Sequence, residues 1–105
     1  MFSGGDYEEV ARWLRNFVVA HAKRENLRVE AVVDTDGPRE GRSYGVRLRL
    51  GEGLRPVPSE PPIELAFPEV AEKRGSLAWC NGLAERVRSL ARELSAAGSG
   101  PLRSA

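Results

Sequence analysis

The stretch Ser43-Tyr44-Gly45-Val46-Arg47-Leu48-Arg49-Leu50 alternates with a period of two. Tyr44, Val46, Leu48 and Leu50 fall on one side, Arg47 and Arg49 on the other. Apolar residues at every second position mark a strand with one face in a core and one in water. Upstream, Leu27 to Asp34 repeats the pattern, with Leu27, Val29, Ala31 and Val33 on one side. Asp36-Gly37-Pro38 then begins a turn that Gly41 helps to complete, which makes the two segments neighbours. Downstream, Pro62 to Phe67 turns Ile63, Leu65 and Phe67 inward and Glu64 outward. The proline-rich connection from Gly51 to Pro61 reads as an extended loop.

Helical periodicity flanks these three strands. A first helix is expected from about Asp6 to Glu25, where Asp6 and Glu9 have the spacing of a capping box. Val10, Leu14, Phe17, Val18 and His21 form its apolar face, with Tyr7 and Trp13 at the edges and Val19 misplaced on the polar face. A second helix is expected from about Ser76 to Ala97, with Cys80, Leu83, Ala84, Val87, Leu90, Ala91 and Leu94 as its stripe. Pro68 to Arg74 is either a separate helical turn capped by Gly75 or the start of that helix. Met1–Gly5 and Gly98–Ala105 read as loose ends.

The expected fold is α+β in the order αβββα. A three-stranded antiparallel sheet carries two helices packed on one face, which buries every apolar stripe. The chain of 105 residues reads as a single domain with an ordered core of about residues 6–97. The other sheet face would be solvated, presenting Arg28, Glu30, Val32, Arg47, Arg49 and Glu64.

Composition narrows the function classes. Sixteen basic and fifteen acidic residues leave a net charge of +1, without the basic excess of a general nucleic-acid binder. Cys80 is the one cysteine, so neither an internal disulfide nor a cysteine-based zinc site is available. Nothing approaches the roughly 20 apolar residues of a membrane helix. Met1 to Tyr7 lacks the basic start of a signal peptide, so the expected location is cytoplasmic, with no membrane partner.

In a meander, both helices begin at the end of the molecule where the first and third strands finish. That end gathers Asp6, Glu8, Glu9, Asp34, Asp36, Glu40, Glu69 and Glu72 against Arg39, Arg42, Lys73 and Arg74. The opposite end gathers Lys23, Arg24, Arg28, Arg49, Arg55, Arg88 and Arg92 against Glu25, Glu52, Glu60 and Glu93. Helix-dipole matching accounts for such a split without any partner. A basic docking end for an acidic partner or phosphates is the functional alternative, and head-to-tail self-association is another. The candidate binding residues are Arg47, Arg49, Arg28 and Arg55.

No catalytic residues and no metal site are assigned, and no cofactor is expected. His21 and Cys80 are the one pair that suggests thiol chemistry, but the topology separates them by about 15 Å along the helices. His21 reads as a buried imidazole with its hydrogen bonds satisfied. Asp34, Asp36 and Glu40 read as turn chemistry rather than a magnesium site. Arg55-Pro56-Val57-Pro58-Ser59-Glu60-Pro61 fits an R-x-x-P-x-x-P pattern, against the plainer reading of a stiffened connector. Gly51-Glu52-Gly53 leads into prolines rather than a helix and is no phosphate loop.

The αβββα order resembles double-stranded RNA-binding domains in topology. Those domains grip phosphates with a lysine-rich start to the last helix. Here Lys73, Arg74 and Ser76 stand at that place, and Leu77 to Leu83 carries no base. No family membership follows. The sequence therefore leads to a non-catalytic protein-interaction module that could self-associate, with Val19, Val32 and Trp79 as candidates for an apolar patch. Nucleic-acid or anion binding through the arginines is the alternative, and enzyme activity ranks last.

Overall fold

The structure, a computed structural model, describes residues 6–103, with side chains to residue 97. The start Met1–Gly5 and residues 104–105, expected as parts of the loose ends, lie outside the described residues. The elements are α1 (Tyr7–Ala22), β1 (Glu30–Asp34), β2 (Ser43–Leu50), β3 (Gly53–Arg55), β4 (Ile63–Ala66), α2 (Phe67–Lys73) and α3 (Leu77–Arg103). A short 3-10 turn, Gly37–Arg39, lies between β1 and β2.

The α+β architecture is as expected, with one addition to the sheet. β2 pairs antiparallel with β1 from Glu30↔Arg49 to Asp34↔Gly45. Its other edge takes β4 from Ser43↔Ala66 to Val46↔Ile63, and β3 from Leu48↔Arg55 to Leu50↔Gly53. The third column of the sheet is thus two short strands set end to end. β3 falls inside the segment expected to be loop, because three residues are too few to show alternation. It forms because Gly51, at φ +61°, makes the two-residue hairpin to Gly53 possible.

Three boundaries also differ. α1 stops at Ala22, and Asn26 Oδ1 accepts the Arg28 N–H at 2.9 Å, folding the chain into a side-chain-stabilised turn. That turn leaves Leu27 76% exposed, although alternation placed it inward, and delays β1 to Glu30. α2 is a separate helix, the first of the two arrangements expected: Pro68 suits its first turn, and Ser76 Oγ restarts the chain by accepting the Trp79 N–H at 3.3 Å. α3 runs on through residues 98–103, expected as a loose end, although Gly98, Gly100 and Pro101 are poor helix formers.

One cluster forms the core. Val10, Leu14 and Val18 of α1 meet Tyr44, Val46 and Leu48 of β2, with Ile63, Leu65, Val70, Leu83, Val87, Ala91 and Leu94 completing it. Tyr44 is the largest wholly buried side chain. Its hydroxyl donates to the Tyr7 carbonyl at 2.7 Å, which avoids a cost of about 1–3 kcal/mol for an unpaired buried group. Burial, then the neighbouring Tyr7, raises the Tyr44 phenol far above its ordinary pKa. The two tyrosine rings stack with centroids 4.7 Å apart, and Phe67 meets both edge-on. The Tyr7 hydroxyl points at the carbonyls of Arg39 and Ser43. The start of α1 is thereby tied to β2 and to the β1–β2 connection.

On the open face, Asp34, Gly45 and Glu64 stand side by side on three adjacent strands. Gly45 lacks the side chain that would fill the middle, and the Arg39 guanidinium lies there instead. A Cβ at Gly45 would come within 2.7 Å of Arg39 Nε. Arg39 donates to Glu64 through Nε and Nη2 and to Asp34 through Nη1 at 2.9 Å. Ser43 Oγ adds a bond to Glu64 at 2.9 Å. These bonds, Arg39 first, hold the Glu64 carboxyl below its usual pKa.

Two outcomes are expected in urea denaturation. In an Arg39→Ala background, Gly45→Ala raises stability by about 0.5–1 kcal/mol, the usual gain of alanine over glycine inside a strand. With Arg39 present the gain is smaller or reversed, because the guanidinium must move; equal gains in both backgrounds would refute the clamp. The depressed Glu64 pKa means that its contribution is present above the ordinary carboxylate range and fades as pH falls through the folded-state value. Glu64→Gln therefore destabilises at pH 7, and the difference from wild type shrinks toward pH 3.

Candidate functional site

Three of the four arginines nominated from the sequence hold partners within the fold. Arg47 sits on β2 opposite the gap between β3 and β4. Its Nη1 donates to the carbonyls of Pro56 and Val57 at 2.6 and 2.8 Å, and its Nη2 to that of Glu60 at 2.9 Å. Arg49 pairs across the sheet with Glu30, its register partner, with Nε at 3.0 Å from Oε1. Hydrogen bonding and the charge of Arg49 keep the Glu30 carboxyl below its ordinary pKa. Arg55 reaches Glu93 of α3 at 3.5 Å and the Leu54 carbonyl at 2.9 Å. Arg28 is exposed, and its side chain forms no ion pair with the described residues. The four are not brought together into one patch.

The basic end is largely paired as well. Arg88 and Arg92 of α3 both reach Glu25 at 3.1 Å, and Arg92 also reaches Glu85. At the acidic end, Glu69 accepts the Trp79 indole N–H at 3.0 Å, and Asp6 caps α1 by accepting the Glu9 N–H at 2.7 Å. Asp6, Glu8, Asp36 and Glu40 remain around a cleft of about 680 Å³ between α1 and the chain leaving β1. Arg12 and Arg15 line its α1 wall, so four carboxylates face two guanidiniums. The acids were legible as an end of the molecule. Arg12 and Arg15 were not, because they fall on the polar face of α1 without a marked partner.

Thiol chemistry finds no geometry here. The Cys80 thiol donates to the Arg74 carbonyl at 3.4 Å, closing the corner between α2 and α3. His21 feels Arg88, which lies about 12 Å further along α3 than Cys80. Its ring packs against Phe17, in a row that continues through Trp13 to Trp79. Burial, then Arg24 and Arg88, lowers its pKa. The expected satisfied imidazole is not seen: Nδ1 is buried without a hydrogen-bond partner among the described residues. The same residues contain no group of three or more His, Cys, Asp or Glu placed to hold a metal ion.

The R-x-x-P-x-x-P segment is not laid out as an extended ligand. The Glu60 N–H bonds the Val57 carbonyl at 2.8 Å, which closes a turn over its middle. With Arg47 gripping three of its carbonyls, the segment is a pinned connector.

The two edges of the sheet differ. One consists of β3 and β4, three and four residues long, with Pro56, Pro61, Pro62 and Pro68 around them. Short strands and prolines are how proteins blunt an edge. The other edge is β1, five residues without proline, paired among the described residues with β2 alone. Ala31 and Val33 of its inner face are half-buried against the core. α1 packs beside them, and Ala11, Arg15 and Val19 form one row on this helix at four-residue spacing. Val19, Val32 and Trp79, expected to be exposed, are half-buried; among the described residues, Leu27 and Leu77 are the large apolar side chains that stand in water, each 76% exposed.

Arg47→Ala is expected to lower stability by about 1–3 kcal/mol, since charged donors to three carbonyls are lost at once. Limited proteolysis should then cut within residues 56–61 well before wild type; an unchanged cutting rate would show that the connector is held by other means.

No protein-family model, no curated protein and no solved structure matches the chain.

Proposed function

We propose that the chain is a non-catalytic protein-interaction module that accepts an extended segment of another protein as an added strand on β1. The observation that carries this is the asymmetry of the sheet: one edge is blunted, and the other, beside a helix, pairs among the described residues with β2 alone. Along an open edge, alternate residues direct N–H and C=O groups outward. An added strand satisfies these groups, and neighbouring side chains give selectivity. Nucleic-acid binding draws less support, because Arg47, Arg49 and Arg55 already serve the fold. The single free cysteine fits a reducing compartment such as the cytoplasm.

Self-association through this edge is disfavoured by charge. Two copies of β1 pairing antiparallel about Val32 would set Glu30 of each against Asp34 of the other. Like charges directly opposite destabilise a pair of strands.

The test is a screen of extended peptides, with binders mapped by amide NMR. Binders should shift and protect amides of residues 30–34, and the mass of the free protein should be that of one chain, 11.5 kDa. Ala31→Lys, which sets a charge on the inner side of the edge, should weaken them at least tenfold while circular dichroism stays unchanged. Binders that map elsewhere, or a response confined to a double-stranded oligonucleotide at low salt, would overturn the proposal.

A further inference from the structure

We infer that the segment accepted by β1 runs antiparallel to it and carries basic side chains at its N-terminal end; this rests on the strand-accepting role proposed above. β1 runs from Glu30 to Asp34 and leads directly into Thr35 and Asp36, which line the acidic cleft. A strand laid along the edge therefore delivers one of its ends into that cleft. Asp6 and Glu8 approach from α1, and Asp36 and Glu40 from the β1–β2 connection. Glu30 and Asp34 on β1 itself each have an arginine partner, Arg49 and Arg39, yet both carboxylates stay about half exposed. The cleft's excess of negative charge is thus what the end of a partner meets.

Direction follows from pairing. Antiparallel ladders are slightly more stable per residue than parallel ones. In that direction the N-terminal end of the guest lies beyond Asp34, at the cleft, and its C-terminal end lies near Glu30. Along the inner side of the edge the guest meets Ala31 and Val33, where α1 packs beside β1. This wall takes apolar side chains at alternate positions. The partner chemistry is a short extended segment with lysine or arginine first, followed by alternating apolar and polar residues. An acidic partner is disfavoured at the cleft, and a second copy of β1 brings its own carboxylates to the same place.

Two synthetic peptides of one composition test this: Lys-Lys-Thr-Val-Thr-Val-Thr-Val and Thr-Val-Thr-Val-Thr-Val-Lys-Lys, both acetylated and amidated. Each is titrated into the full-length protein at low and at physiological salt, with amide NMR as readout. The lysine-first peptide should shift amides of residues 30–36 and bind about tenfold more tightly than the lysine-last peptide, a difference that narrows as salt rises. The pair Asp36→Lys and Glu40→Lys, both at exposed positions, should abolish or reverse that order. Equal binding of both peptides at β1 would overturn the cationic and directional preference and leave the strand-accepting role standing. No shift at residues 30–34 with either peptide, or shifts confined to another surface, would overturn both.

Discussion

Among the described residues, all three of the other strands take their sheet hydrogen bonds from β2, so eight residues carry the register of that sheet. The inward side of β2, through Tyr44, Val46 and Leu48, is also the centre of the core. A slip of one residue would turn these groups out and the arginines in. The outward side is used position by position. Gly45 makes room for the Arg39 clamp, Arg47 holds the connector between β3 and β4, and Arg49 braces β1 through Glu30. Register, core and connector therefore stand or fall together.

Arginine does much of this joining, and its shape explains why. The guanidinium offers several donors in a rigid planar fork. Arg39 spans two carboxylates on separate strands, Arg47 spans three carbonyls, and Arg92 spans two glutamates. An ammonium group would hold one such partner well and the others poorly. This internal use of guanidinium groups leaves the surface with little basic character where the sheet face is open. It also makes the cleft between α1 and the β1–β2 connection stand out, since its carboxylates outnumber its arginines.

Much of the fold was legible because its signals are periodic. The alternation at residues 43–50 and the apolar stripes of α1 and α3 each repeat often enough to be read along the chain. β3 was not legible, because three residues show no period and the prolines beyond them suggest a loop. Leu27 misled because alternation carries no information about where Asn26 turns the chain with its own side chain. Arg47 and Arg49 lie on the outward side of β2, as its alternation implies, yet which partner each finds depends on neighbours across the sheet. Glu30 is nineteen residues from Arg49 and Glu64 is twenty-five from Arg39, so no local pattern links them. The edge position of β1 was implicit in the meander; the contrast with the opposite edge was not, because that edge is built partly from β3.

The chain has two tryptophans, and both lie in one place. Trp13 and Trp79 stack with ring centres 6.4 Å apart where α1 meets α3, next to Phe17 and close to the corner that Cys80 and Glu69 help to close. At that separation the two indoles share excitation, so their emission behaves as a single optical reporter. It senses the helical seam as a whole and its loss when α1 and α3 part. Intrinsic fluorescence therefore follows the docking of the two long helices, a step distinct from strand pairing in the sheet.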